Sequence, residues 1–204
     1  MRARANKASE ALRLAFNEVL QTVNTSIPGH VLKFDPSTQL AEIQVGIKRV
    51  NKNGEQTAIT PIIEVMVNFS GGVTYRVEHE VNTGDEGILI FSQRCIDSWN
   101  DQGGVVTNPI LRFHDMQDAY FIPGIRSQKN KLTDFENDGI RITDGTNYFW
   151  LKKNGDLKMK GVNVDIESDT LTHNGTNIGD DHHHAPGTYN IGGTPVVDLS
   201  GDPQ

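Results

Sequence analysis

The sequence predicts an all-β protein with one N-terminal helix, in which a small closed barrel is followed by a ribbon that reads as a trimeric β-helix or prism. Three observations lead there. A single amphipathic stretch near the N-terminus has helical spacing. Residues 30–124 then read as short alternating strands broken by Gly, Pro, Asn and Asp turns. Residues 138–176 form a second alternating set, and nothing in the remaining sequence can cover its apolar face.

The helix is expected over residues 6–25. Leu12, Phe16, Val19 and Val23 recur on one face, Arg13, Asn17 and Glu18 lie elsewhere on the wheel, and Thr25-Ser26-Ile27-Pro28-Gly29 ends it. Two roles are open to it, packing on its own domain or docking on a neighbouring protein. Strands are expected at 31–34, 40–48, 57–65, 74–81, 86–92 and 119–122. Ala41, Ile43, Val45 and Ile47 alternate with Glu42, Gln44 and Lys48. About half a dozen strands in so short a span fit a closed barrel, which leaves no exposed sheet edge, and the oligonucleotide/oligosaccharide-binding (OB) barrel is the natural candidate.

Residues 126–131 are polar and basic, which places a boundary there. The expected organisation is a helix and lead-in segment at 1–29, the OB barrel at 30–125, a linker at 126–137, the trimeric β-helix at 138–176 and a metal-binding apex at 177–204. In the ribbon, Ile140 and Ile142 alternate with Arg141 and Thr143. Leu157 and Met159 alternate with Lys158 and Lys160, and Val162, Val164 and Ile166 continue after Gly161. A lone ribbon of this kind is unstable in water, whereas three identical ribbons around one axis share a core.

Composition narrows the function. Large apolar residues make up only 36% of the 204 residues, and 20 glycines account for much of the shortfall, so thin, turn-rich elements are expected and disorder is not. A net charge of −7, spread along the chain, argues against a nucleic-acid partner, which needs Lys/Arg stripes. No apolar run reaches membrane-helix length and no signal-peptide core follows the basic start, so synthesis in the cytosol is expected. The single cysteine, Cys95, excludes an intrachain disulfide and reads as a buried structural thiol.

One cluster has metal-ligand character, Asp180-Asp181-His182-His183-His184. In an extended chain His182 and His184 project together and His183 points away. On a three-fold axis the two outer histidines of each chain surround one point, an octahedral nitrogen set that suits iron or nickel better than tetrahedral zinc. His30, His79, His114 and His173 stand alone and read as surface or hydrogen-bonded histidines. Glu78 and Glu80 read as solvated strand charges. His114 and Asp115, adjacent in an extended stretch, face opposite ways with no nucleophile motif nearby, so no active site is expected there.

Several stretches together resemble the membrane-puncturing central spikes of contractile phage baseplates. These are Phe16 to Gly29, Glu86-Gly87-Ile88-Leu89-Ile90-Phe91-Ser92-Gln93-Arg94-Cys95-Ile96-Asp97-Ser98-Trp99, Arg112-Phe113-His114-Asp115-Met116-Gln117-Asp118-Ala119-Tyr120-Phe121-Ile122-Pro123-Gly124, Trp150-Leu151, Asn154-Gly155 and the histidine triplet. The resemblance implies an N-terminal OB barrel, a trimeric β-helix and a sharp tip holding one iron ion per trimer through His182 and His184. It leaves open further ions along the β-helix axis. His183 departs from the family pattern, which often has a small polar residue there. The implied protein is not an enzyme. It is a homotrimeric virion component at the tail tip, attached to hub and baseplate proteins by its N-terminal part and driven into the bacterial outer membrane. The competing classes are a spike of a related injection machine, a metal-dependent enzyme using the histidine run with Asp180 or Asp181, and an OB-type saccharide- or nucleic-acid-binding module. The last would need aromatic residues grouped on one barrel face, and Phe34, Phe69, Tyr75 and Phe91 are scattered in sequence.

Overall fold

The structure is a computed structural model and describes residues 2–51, 53–179, 188–191 and 194–197. The chain divides into two units, Met1–Leu132 and Thr133–Gln204. It is mostly β, with one long N-terminal helix and a closed five-stranded barrel.

In the first unit α1 spans Arg2–Thr22, starting earlier than the spacing predicts and ending three residues sooner. Thr22 Oγ1 closes its last turn by donating to Val19 O (2.7 Å). The strands that follow are β1 (Ser26–Asp35), β2 (Leu40–Val45), the short hairpin β3 (Arg49–Val50) and β4 (Gln56–Thr57), β5 (Ile62–Val67), β6 (Glu86–Phe91) and β7 (Ala119–Pro123). A six-residue helix α2 (Asp97–Gln102) lies between β6 and β7, and a single 3₁₀ turn (Gln128–Asn130) follows them.

The barrel closes in the order β1-β2-β5-β7-β6, with β6 returning to β1. β5 and β7 run parallel and the other pairs antiparallel. Inward positions alternate as the sequence pattern requires. Val31, Ile43, Val65, Leu89 and Phe121 are fully or almost fully buried and form one core with their neighbours.

Two expected strands differ. The strand predicted at 57–65 begins only at Ile62, because Pro61 has no N–H to give to a ladder. The strand predicted at 74–81 is not formed. β5 is already paired on both edges, by β2 and β7, so the alternating residues there have no edge to join. They instead make a protruding loop, held at its neck by Gly72 N–H to Tyr75 O and Val77 N–H to Ser70 O, both 2.8 Å.

In the second unit β8 (Gly139–Thr143), β9 (Tyr148–Lys152) and β10 (Leu157–Lys160) form an antiparallel sheet in the order β10-β9-β8. Its hairpin turns use Gly145 (φ +94°) and Gly155 (φ +92°), a backbone region that side chains disfavour. Asp144 locks the first turn by accepting N–H bonds from Thr146 (2.8 Å) and Asn147 (2.6 Å), which hold its carboxyl at about 2. Shorter pairs follow, β11 (Thr172–His173) with β12 (Thr176–Asn177) and β13 (Thr188–Ile191) with β14 (Thr194–Val197). The strand expected around Val162, Val164 and Ile166 is not formed, and all three side chains are exposed. No described helix is long and apolar enough to cross a membrane.

At the closure of the barrel, Gly87 on β6 faces Pro123 on β7, and a Cβ at Gly87 would overlap the Phe121 ring and the Ile122 carbonyl. Gly87→Ala is therefore expected to lower barrel stability by about 1–3 kcal/mol through overpacking. Gly72→Ala, at a position with open space around it, should change it little. Denaturant titration of the two full-length variants checks this.

Candidate functional site

The loop between β6 and β7 carries the densest polar chemistry among the described residues. Asp118 immediately precedes the apolar strand β7 and is fully buried. Arg112 reaches it with two bonds, Nε to Oδ2 (2.7 Å) and Nη2 to Oδ1 (2.6 Å). The same Nη2 donates to Asp97 Oδ1 (2.9 Å) at the start of α2, and the Ile96 N–H donates to Asp118 Oδ1 (3.0 Å). Burial opposes ionisation of Asp118, but the Arg112 and Ile96 bonds outweigh it and hold the carboxyl below its usual range. The same pairing pushes the Arg112 guanidinium further up.

Cys95 is buried beside this pair, as expected of a structural thiol. Its sulfur and carboxylate oxygens of Asp97 and Asp118 lie within 4.8 Å of one another, a spacing that a metal could use. The guanidinium of Arg112 already binds both carboxylates, so it fills the role of the cation and the group reads as a structural brace. Further backbone bonds, Ser92 N–H to Asp118 O (2.7 Å) and Cys95 N–H to Arg112 O (3.2 Å), tie the loop's two ends together. Sequence reasoning gave this pair no role. The signal available was a charged residue abutting an apolar strand with an arginine six positions earlier.

The isolated histidines take structural positions. His114, in a left-handed turn (φ 48°), has Nδ1 3.1 Å from Asn24 O, while Asn24 Nδ2 donates to His114 O (2.7 Å). This reciprocal clamp fixes the segment between α1 and β1 to the barrel. Asp115 accepts the Gln117 N–H (2.9 Å) in a local turn and makes no pair with His114. His79 packs against the Phe69 ring at 5.1 Å, His30 is half-buried on β1 and His173 is exposed on β11. His182 and His184, the expected metal ligands, lie outside the described residues with the rest of 180–187.

Two apolar surfaces remain without a cover among the described residues. Along α1, Leu12, Leu14, Phe16, Val19 and Leu20 are all exposed, so the helix does not pack on its own barrel. On the β8–β10 sheet the register aligns Ile140 with Leu151 and Leu157, and Ile142 with Phe149 and Met159. These six side chains form two apolar rows on one face, each of them exposed. The other face is satisfied within the chain. Trp150 Nε1 donates to Asp138 O (2.9 Å), its ring lies beneath Arg141 (5.7 Å) and Lys152 (4.6 Å), and Lys152 pairs with Asp138 (3.0 Å).

A barrel strapped by a buried Arg–Asp pair, with exposed apolar surfaces outside it, has the features of an assembly component. Residues 27–124, the barrel and just under half of the chain, match the family model described as phage protein Gp138 N-terminal domain. No curated protein matches the sequence. The family match supports a phage structural protein and hence a place in the virion.

Removing Asp118 leaves the Ile96 N–H without its buried acceptor and Arg112 with Asp97 as its remaining carboxylate. Asp118→Ala is expected to cost about 1–3 kcal/mol of barrel stability. The pH dependence has a definite sign. The folded-state carboxyl lies below its unfolded value, so its stabilisation is complete above the ordinary aspartate range near pH 4 and is lost as pH falls through the depressed value. Thermal melts from pH 7 to pH 2 should show a steeper acid loss in the parent than in Asp118→Ala.

Proposed function

We propose that the chain is a homotrimeric spike at the tip of a contractile phage tail, which pierces the host outer membrane when the sheath contracts. The observation that carries this reading is the double apolar row on the β8–β10 sheet. A three-stranded sheet with one face open to water loses about 1 kcal/mol or more for each half-exposed large apolar side chain left uncovered. Two further copies of the same sheet around one axis supply the missing cover, and Val162, Val164 and Ile166 continue the apolar series towards the C-terminus.

In this reading residues 30–125 are an OB barrel and residues 138–176 the shaft of a trimeric β-helix. Three copies of His182 and His184 close the apex around one iron ion. The uncovered face of α1 docks on the tail hub, which puts the attachment at the N-terminal end and the membrane-piercing tip at the other. The function is mechanical rather than enzymatic. A ribbon cross-linked by antiparallel hydrogen bonds and closed by tight Gly turns resists axial load without hinges, and a shared metal holds three chain ends at one point.

Native mass spectrometry should give a trimer that survives dilution to nanomolar concentration. Phe149→Lys, which puts a charge in the middle of the apolar rows, should yield a monomer whose barrel is still folded. A parent protein that is monomeric with its β signal intact would sink the reading.

Elemental analysis is expected to give one iron per three chains, lost in His182→Ala with His184→Ala and retained in His183→Ala. One metal per chain, or none in the parent, would exclude a shared apex.

A further inference from the structure

Residues 126–131, Arg-Ser-Gln-Lys-Asn-Lys, have the composition of a free linker. Unanchored, six such residues form a tether that reaches about 20 Å when extended and keeps no fixed length. The first unit nevertheless runs through them to Leu132. They are held to the barrel at one place, the start of β6.

A single residue makes that attachment. Glu86 opens β6 and stands across from His30 on β1. Its carbonyl accepts the Gly124 N–H (3.0 Å), where the chain turns off β7 at a left-handed φ of +96°. Its carboxylate accepts the Ser127 N–H at Oε2 (2.6 Å), and at Oε1 both Ser127 Oγ (3.0 Å) and Asn130 Nδ2 (2.7 Å). Both oxygens are therefore occupied, by donors 41 and 44 residues further along the chain. The 3₁₀ turn makes this possible. Asn130 N–H donates to Ser127 O (3.0 Å), and side chains three apart in such a turn lie one above the other, so the two reach the same oxygen.

The Ser127 N–H, with the Ser127 hydroxyl and the Asn130 amide, holds the Glu86 carboxyl below its usual range although desolvation opposes this. The acceptor is thus ionised at neutral pH and the bonds are charge-assisted. The cations of the segment take no part. Arg126, Lys129 and Lys131 are exposed, and none of them forms an ion pair among the described residues. A general attraction between a basic segment and an acidic barrel would use those cations. Here neutral donors at two fixed positions converge on one carboxylate, which is a directional contact.

We propose that Glu86 is a latch that makes the segment after β7 part of the barrel and removes the slack from that stretch of chain. It is a positioning residue, acting through Ser127 and Asn130. Open, the segment adds about 20 Å of loose chain; closed, none of that length is free. The latch does not depend on the spike reading. In a spike it lets a stroke pass beyond β7 without first drawing out a tether.

Trypsin tests the latch, since Arg126, Lys129 and Lys131 lie inside the held segment. The full-length parent, Glu86→Ala, Glu86→Gln and the double variant Ser127→Ala with Asn130→Ala are digested under native conditions. Cleavage sites are read by mass spectrometry and melting temperatures are measured in parallel. Cleavage after these three residues is expected to be about tenfold faster in Glu86→Ala and in the double variant than in the parent, with melting little changed. Glu86→Gln keeps one acceptor oxygen and should fall between. Glu80→Ala, which removes an exposed carboxylate elsewhere, should match the parent. Two results would overturn the proposal: variants cut there no faster than the parent, or faster cleavage spread over the whole barrel with a lowered melting temperature. If Glu86→Ala fails to fold, the double variant decides alone, because it leaves β6 intact.

Discussion

An antiparallel sheet presents two faces, and the side-chain period of two forces its residues to choose between them. In the β8–β10 sheet that choice leaves one face complete within the chain and the other incomplete. Trp150 sits beneath two cations with its indole N–H satisfied, and Lys152 pairs with Asp138. The apolar rows on the opposite face have no such neighbours among the described residues. Hairpin turns built on Gly145 and Gly155 fix the register, so the rows cannot slip out of alignment to hide themselves. The need for an outside cover follows from that register, and the rest of the functional reading follows from the need.

The barrel meets a different constraint. Closure consumes every strand edge, so whatever the barrel presents to partners must come from loops or from its outer wall. The long connection between β6 and β7 would be a floppy excursion without the Arg112–Asp118 pair. Two bonds from one guanidinium, a third to Asp97 and the Ile96 N–H draw both ends of the loop against the start of β7. That brace sets α2, and with it Trp99, against Tyr120 on the outer wall. A buried ion pair is a weak source of net stability because desolvation opposes it, but it gives geometric definition here, since the guanidinium and the Ile96 N–H fix the carboxylate from two sides.

Much of the barrel was legible in the sequence because its alternation is the direct imprint of a closed core. Ala41, Ile43 and Val45 point inward as their period requires, and so do Leu89 and Phe91. The misread strand at 74–81 shows the limit of that logic. Val73, Tyr75 and Val77 alternate as well as any strand, but pairing depends on a free edge elsewhere in the fold, which local pattern does not encode. The Arg112–Asp118 brace was invisible for a related reason, since a salt bridge across six residues of irregular loop has no periodicity. The ribbon's alternation predicted one apolar face, and on that face the described side chains of β8, β9 and β10 are exposed. The histidine ligands His182 and His184 lie outside the described residues.

The two uncovered surfaces among the described residues differ in kind, and the difference bears on what each can accept. α1 offers a narrow convex ridge, suited to a groove on another protein. The β8–β10 face is a regular strip repeating at the strand spacing, which suits identical strips related by symmetry better than an irregular foreign surface.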